Sequence, residues 1–523
     1  MRDNFYNWIV YQIYPRSFMD ANGDGIGDLN GITAKLDHLT ELGVNAVWLS
    51  PCYKSPNIDN GYDISDYRDI MDDFGTLDDW KRMISEMHKR GIKLIMDLVA
   101  NHTSSEHFWF KEARKSKDNP YHDYYVWRKQ IPNDWQSVFG GSAWEYNKAT
   151  DEYYLHSFAV AQPDLNWENP AVRREMCDVV DYWVNLGVDG FRCDVLNYIS
   201  KDFNTGLQFN GPRLHEFTKE LFGRKEVKHI FTVGECSMGT DKIVDICGAD
   251  RDELTCIFQF DHFDVGRVGR FGIRSHKIDE IRDILVFWQN FTQKNNLIYT
   301  LFTDNHDQTN YISRLGNDKE YRYECATMFA AMFYLLKGIP FIYQGQEFGM
   351  PQPNYDDIEL FDDIETRKFY NSVKGKMPNN ELMKLINFGS RDNFRHPMCW
   401  YNSKNYGFGV GDTWLALHSR GGEVNLENDK ASKKSVFEFY KKIIDLRKAS
   451  KAIRLGAFEN ITVGNGYFAY LRKFDDEEIL VVCNFETERE ITRLPEWGYL
   501  FGNGNNRQPN GKYAPYETAI FKK

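Results

Sequence analysis

The feature that most constrains the fold is an alternation. Short apolar runs suited to buried strands follow segments with helical spacing, repeatedly along the chain. "ITAKLDHLTELG" spaces its apolar residues helically, ends on Gly43 and leads into "VNAVWLS". "TLDDWKRMISEMHKRG" opens on Thr76, a capping residue, stops at Gly91 and leads into "IKLIMDLV". The unit returns as "NPAVRREMCDVVDYWVNLGVDG" before "FRCDV" and "GPRLHEFTKELFG" before "HIFTVGE". It returns again as "IRDILVFWQNFTQKN" before "LIYTLFTDNHD" and "YECATMFAAMFYLLKG" before "IPFIYQGQE". With a first strand near Val10 and another at "LTCIFQF", eight strands alternate with helices. This α/β pattern predicts parallel strands with crossover helices, and eight units predict a TIM (β/α)8 barrel.

Two stretches break the pattern. Residues 101–169 are rich in Trp, Tyr, Asn and Gly and lack long periodicity. The stretch is too long for a plain loop, so an inserted subdomain or active-site lid is expected after the third strand. From about Lys451 short strand-like runs ("YFAYLRK", "EILVVCNF", "YETAIF") are separated by turns such as "GNG" and "PNG". The expected division is a barrel over 1–100 and 170–450, the insert over 101–169, and an all-β sandwich over 451–523.

Composition excludes several classes of function. The formal net charge of −12 is the wrong sign for a nucleic-acid footprint. No run of 18 apolar residues occurs, so no membrane partner is expected. "MRDNFYNWIV" lacks the basic and apolar regions of a secretory signal. Nine scattered cysteines without a C-x-x-C pair read as reduced thiols, so a cytoplasmic location is expected.

"DANGDGIGD", Asp20 to Asp28, sets oxygen-bearing side chains two apart among three glycines, an arrangement suited to a hard cation. Asp20, Asn22, Asp24 and Asp28 fill EF-hand positions 1, 3, 5 and 9, with Gly25 at 6 and the Ile26 carbonyl at 7. Position 12 is Gly31 rather than Glu, and the preceding "WIVYQIYPRSF" reads as a strand, so this is no EF-hand. A metal-free Asp/Gly turn and a single-ion structural site are the readings that stay open.

The ends of barrel strands carry the chemistry in this fold. The third strand ends on Asp97, Asn101 and His102, and the fourth on Arg192 and Asp194. The fifth ends on Glu235, and the seventh on Asp304, Asn305, His306 and Asp307. Clustered carboxylates shift one another's pKa upward, while Arg192 can hold a neighbour ionised. Such a split supplies the nucleophile and the proton donor of glycoside hydrolysis. The same residue types could serve metal-assisted hydrolysis through His102 and His306, but no compact ligand spacing such as H-E-x-x-H occurs.

The motifs "DLVANH", "GFRCDV", "VGE" and "TDNHD", in this order, resemble glycoside hydrolase family 13, the α-amylase family. "QPDLN", "DNGYDISDY", "GSAWEYNKATDEYYLHSF" and "SRDNFRHPMCW" are similar to its oligo-1,6-glucosidase subfamily, and the likeness spans essentially the whole chain. The resemblance implies Asp194 as nucleophile, Glu235 as general acid and base, and Asp307 as the carboxylate that orients the distorting sugar. It implies that Arg192 keeps Asp194 ionised and that His102 and His306 donate to the hydroxyls of the −1 glucose. Tyr62, Phe139 and Phe158 would wall the pocket and Gln162 would reach it from the insert. Asp59 and Arg395 would seize the non-reducing end. Val195, after the nucleophile, is the residue that goes with α-1,6 rather than α-1,4 preference.

One structural calcium ion is implied, held by Asp20, Asn22, Asp24, the Ile26 carbonyl and Asp28, with no organic cofactor. The expected activity is retaining, exo-acting hydrolysis of α-1,6 bonds in isomaltose and short isomalto-oligosaccharides by a monomer. Trehalose-6-phosphate hydrolase, a sucrose- or maltose-active α-glucosidase and a glucosyl-transferring isomerase are the alternatives within the family. Phe394, His396, Cys399 and Cys236 depart from the common pattern, and the segment after Asn197 is short for the group.

Overall fold

The computed structural model describes residues 2–236, 238–248 and 252–523. One eight-stranded sheet runs through it: Val10–Ile13 (β1), Ala46–Leu49 (β2), Lys93–Val99 (β3), Gly190–Asp194 (β4), Phe231–Gly234 (β5), Cys256–Ile257 (β6), Thr300–Leu301 (β7) and Ile339–Tyr343 (β8). The order is β6-β5-β4-β3-β2-β1-β8-β7. Each strand lies beside its successor in sequence, β1 pairs in parallel with β8, and the β6–β7 step alone is unpaired among the described residues. The sheet is a (β/α)8 barrel, nearly closed, whose open seam falls at its two shortest strands.

Local chemistry accounts for the elements. Helix Leu77–Lys89 begins with a capping box, in which Thr76 and Asp79 satisfy each other's backbone N–H groups. It hands over to β3 through Gly91, whose φ of +72° a residue with a side chain adopts poorly. β4 is buried along its whole length, as a strand covered on both faces must be. One expectation fails near the start. Pro15 begins a short helix, Pro15–Phe18, so a helical turn and not the strand itself enters the Asp20–Asp28 loop. Proline is pre-shaped for the first position of a helix and carries no N–H that the turn would leave orphaned.

The chain divides into two compact units, 1–47 with 259–523, and 48–258. The second unit carries β3 to β6 and, within the insert, a three-stranded antiparallel sheet: Trp127–Arg128, Trp144–Asn147 and Glu152–Leu155. Trp135, Trp144, Ala143 and Leu155 form a core of its own beneath that sheet. The first unit carries β1, β7 and β8 and ends in a five-stranded antiparallel sheet within 457–522. Its buried face, with Leu480, Val482 and Phe521, packs with Ile491 and Tyr513 of a separate two-stranded sheet, which makes a sandwich. Residues Lys451–Leu455, expected to open this β region, form a helix.

Candidate active site

In residues 48–258 strand register sets the chemistry. Side chains alternate between the faces of a strand, so Arg192 and Asp194 share one face of β4. The parallel pairing puts Asp97 opposite Arg192 and Val99 opposite Asp194. Glu235 directly follows β5, and its N–H donates to the Cys193 carbonyl at 2.9 Å. The Arg192 guanidinium is therefore a hub. Its Nη1 donates to Asp97 Oδ1 at 2.6 Å and to Asp194 Oδ1 at 2.8 Å, and its Nη2 donates to Glu235 Oε2. Trp48 Nε1 donates to the far oxygen of Asp97 at 2.7 Å. The rings of Trp48 and Tyr62 lie against the guanidinium, 5.2 and 5.5 Å from it.

Three carboxylates around one guanidinium leave an excess of negative charge. Burial raises the Asp194 carboxyl well above the ordinary range, Glu235 and Asp97 raise it further, and the opposing pull of Arg192 does not prevail. This corrects the expectation that Arg192 keeps Asp194 ionised: burial outweighs the pull of a guanidinium that Asp194 shares with Asp97 and Glu235.

The remaining pocket residues of this unit form a connected group. Gln162 Nε2 donates to Asp59 Oδ2 at 3.1 Å and lies 3.2 Å from His102 Nε2. His102 packs on the Phe158 ring at 5.1 Å, and Phe158 packs on Phe139 at 5.9 Å. Burial depresses the His102 imidazole to about 4, so it is neutral at pH 7. Asp164, in the motif that supplies Gln162, makes a buried ion pair with Lys201 at 3.0 Å. Asp97, read from the sequence as a strand-end carboxylate, takes its place through β3–β4 register. Trp48 and Lys201, which orient functional side chains, were not singled out from sequence, and their spacing along the chain carries no signal.

Val195 is not a strand residue. β4 ends at Asp194, and Val195 turns the chain at φ 34° and ψ 42° into the helical turn Leu196–Ile199. Positive φ is unusual for any residue with a side chain and a genuine outlier for a β-branched one. Strain of about 1–3 kcal/mol is thus stored next to Asp194.

The other unit holds the second set. Asp307 Oδ1 accepts from Arg395 Nη2 at 2.5 Å and Arg391 Nη1 at 3.3 Å, and Asp307 Oδ2 lies 3.0 Å from His306 Nε2. Gln12 Nε2 lies 2.8 Å from His306 Nδ1, and Arg395 Nε donates to the His306 carbonyl at 2.6 Å. Burial pushes the Asp307 carboxyl up, but His306, Arg395 and Arg391 together hold it well below the usual range. Asp307 is therefore an ionised group and no proton donor. Arg391 shares "SRDNFRHPMCW" with Arg395, four residues apart, and was legible there had both arginines been weighed.

In the loop after the first strand the oxygen donors face their own backbone. Asp20 accepts from the N–H groups of Gly23 and Gly25 at 2.6 and 3.0 Å. Asp28 accepts from Ala21 and Gly31 at 2.8 and 2.7 Å. Gly25 is obligatory, since a Cβ there would sit 1.7 Å from the Asp412 carbonyl oxygen. Asp20 and Asp28 are buried and, among the described residues, form no ion pair, and five oxygen donors on one loop suit a hard cation chemically. Among the described residues no three acidic, histidine or cysteine side chains converge on a metal position.

Paired carboxylates on a shared guanidinium, at the strand ends of a (β/α)8 barrel, define a glycosidase. Residues 12–456 match the alpha-amylase catalytic domain, and this chain belongs to that family, glycoside hydrolase family 13. It is 47% identical to an oligo-1,6-glucosidase of Parageobacillus thermoglucosidasius, over 93% of this chain and 91% of the relative. An oligo-1,6-glucosidase of Bacillus cereus is 42% identical, with 98% of each chain covered. A crystal structure of a mutant trehalose-6-phosphate hydrolase of Bacillus licheniformis superposes with a TM-score of 0.95 at 38% identity, covering 99% of both chains.

Proposed function

We propose that the chain hydrolyses α-1,6-glucosidic bonds of isomaltose and short isomalto-oligosaccharides from the non-reducing end, with retention of configuration. The observation that carries the reading is the single Arg192 guanidinium bridging Asp194 and Glu235. One guanidinium that contacts both carboxyl groups holds them near each other, as a retaining mechanism, with its separation of about 5–5.5 Å, requires. The names and identities of the two oligo-1,6-glucosidases support the choice of linkage.

Asp194 attacks the anomeric carbon while Glu235 transfers its proton to the leaving oxygen; the C1–O bond breaks and a glucosyl–Asp194 ester forms. Glu235 then takes a proton from water, water attacks C1 from the vacated face, and the ester bond breaks. Asp194 and Glu235 share the Arg192 guanidinium, and burial raises the Asp194 carboxyl. The glycosidic oxygen accepts a hydrogen bond from Glu235 alone, and its arrival selects the state with Glu235 protonated and Asp194 ionised. The family resemblance gives Asp307, held ionised by His306 and two arginines, the role of the third carboxylate. Neutral His102 and Gln162 offer hydrogen bonds to hydroxyls, and the same resemblance gives Asp59 and Arg395 the role of binding the non-reducing end.

A calcium ion in the Asp20–Asp28 loop belongs to the same proposal. Its support is the all-oxygen donor set and two buried carboxylates; bound there, it would neutralise the loop's own repulsion. A cytoplasmic monomer completes the reading, in keeping with nine free cysteines, eight of them buried. The experiment is a product assay with isomaltose, maltose, sucrose and trehalose 6-phosphate in parallel. Asp194→Ala should abolish hydrolysis, and azide should restore turnover to a β-glucosyl azide. Preference for another substrate defeats the linkage assignment, and near-normal activity of Asp194→Ala defeats the mechanism.

A further inference from the structure

An aromatic run leads outward from the glucose pocket. His102 packs on Phe158 at 5.1 Å, Phe158 on Tyr198 at 5.3 Å, and Tyr198 on Phe209 at 5.0 Å with ring planes 36° apart. Exposure rises along the run from 1% at His102 and 8% at Phe158 to 40% at Phe209. Tyr198 lies within electrostatic reach of Glu235, which puts this end of the run on the side where the acid meets the leaving oxygen.

The segment that carries Phe209 is firmly held. Asp202 and Leu207 exchange backbone hydrogen bonds at 2.8 and 2.9 Å, and Asn210 N–H donates to the Asn197 carbonyl at 2.9 Å. Trp135 and Gln208 tie the same segment to the insert at 3.1 and 3.2 Å. An exposed ring on a fixed segment loses little freedom when a ligand stacks on it. Leu207 and Asn210, on either side of Phe209 in sequence, line a cleft of about 500 Å³ between the segments that follow Asp194 and Glu235, well inside the size range of small-ligand sites. Leu207 lines it, with Asp202, Asp241 and Asp245 facing Lys242 and His215. His215 is turned to Glu253 at 3.0 Å, so the lining is acidic. Carboxylates accept hydrogen bonds from sugar hydroxyls and repel phosphate.

We propose that Phe209 and this cleft form a second leaving-group subsite, which takes the distal glucosyl units of an uncharged isomalto-oligosaccharide. The proposal rests on the hydrolase reading above and deepens it: the short segment after Asn197 selects neutral sugars longer than a disaccharide. The test compares kcat and KM on isomaltose, isomaltotriose and trehalose 6-phosphate for the wild type, Phe209→Ala and Phe209→Tyr. Isomaltose leaves a single glucose and does not reach Phe209. Phe209→Ala should lower kcat/KM on isomaltotriose about tenfold, through KM, and leave isomaltose within twofold; Phe209→Tyr should restore it. Equal losses on both sugars, or no loss on isomaltotriose, overturn the subsite while the hydrolase reading stands. Trehalose 6-phosphate turned over better than isomaltotriose overturns the uncharged leaving group. A wild type inactive on both isomalto-sugars overturns the hydrolase reading itself.

Discussion

Asp97 offers the most direct test of how the cluster holds its proton. Its carboxylate is fully buried and shares Arg192 Nη1 with Asp194. Oxygens 2.6 and 2.8 Å from one nitrogen are at most about 5.4 Å apart. At an effective dielectric constant of about 20, two unit charges at that distance repel by roughly 3 kcal/mol. Asp97→Asn removes the negative charge with little change of shape. It also leaves more of the Arg192 charge for Asp194 and Glu235, which acts in the same direction. Removing that charge should therefore lower the pH at which the carboxyl cluster gives up a proton. The alkaline limb of the kcat/KM profile, which reports loss of the acid proton, should move down. Activity at pH 7 should fall by roughly 10- to 100-fold, with partial recovery toward pH 5. The assay is a pH–rate profile on isomaltose, with circular dichroism to confirm the fold. An alkaline limb that stays in place, or moves upward, would refute the claim that Asp97 helps to raise the Asp194 carboxyl.

Other outcomes follow from the same geometry. Val195→Thr should raise the maltose-to-isomaltose ratio of catalytic efficiency within the roughly 10–200-fold range of a single pocket group, and an unmoved ratio would leave Val195 as a turn residue only. Burial keeps the imidazoles of His102 and His418 at about 4 and those of His107 and His262 at about 3, against an ordinary value of 6.5. Their contribution to stability is complete above pH 6.5 and is lost as the pH falls from there toward 3–4, at a cost of up to about 2 kcal/mol each by pH 5. A melting temperature that is flat between pH 7 and 5 would contradict this. Thorough chelation should lower the melting temperature and leave kcat at low temperature unchanged, since an ion bound only to the folded loop acts by mass action; no shift, with no metal found by elemental analysis, would dispose of the calcium site.

The sequence by itself determined the architecture and the family. Hydrophobic period, capping residues and helix-ending glycines are local signals, and the alternation they spell out over eight units admits few folds. Thr76 with Asp79 shows this well, because every atom of that cap lies within four residues. The residue types at the strand ends were legible for the same reason: Asp194, Glu235 and Asp307 sit in short motifs whose order the chain preserves. What only tertiary structure decided is how charge is shared among them. Sequence suggested a single Arg192–Asp194 pair, whereas β3–β4 register adds Asp97, and the end of β5 adds Glu235, to the same guanidinium. The protonation of a buried group depends on every charge within a few ångströms, and those neighbours come from strands some forty to a hundred residues away. Backbone strain at Val195 was hidden likewise, since valine reads as a strand former until the chain is forced to turn beneath it.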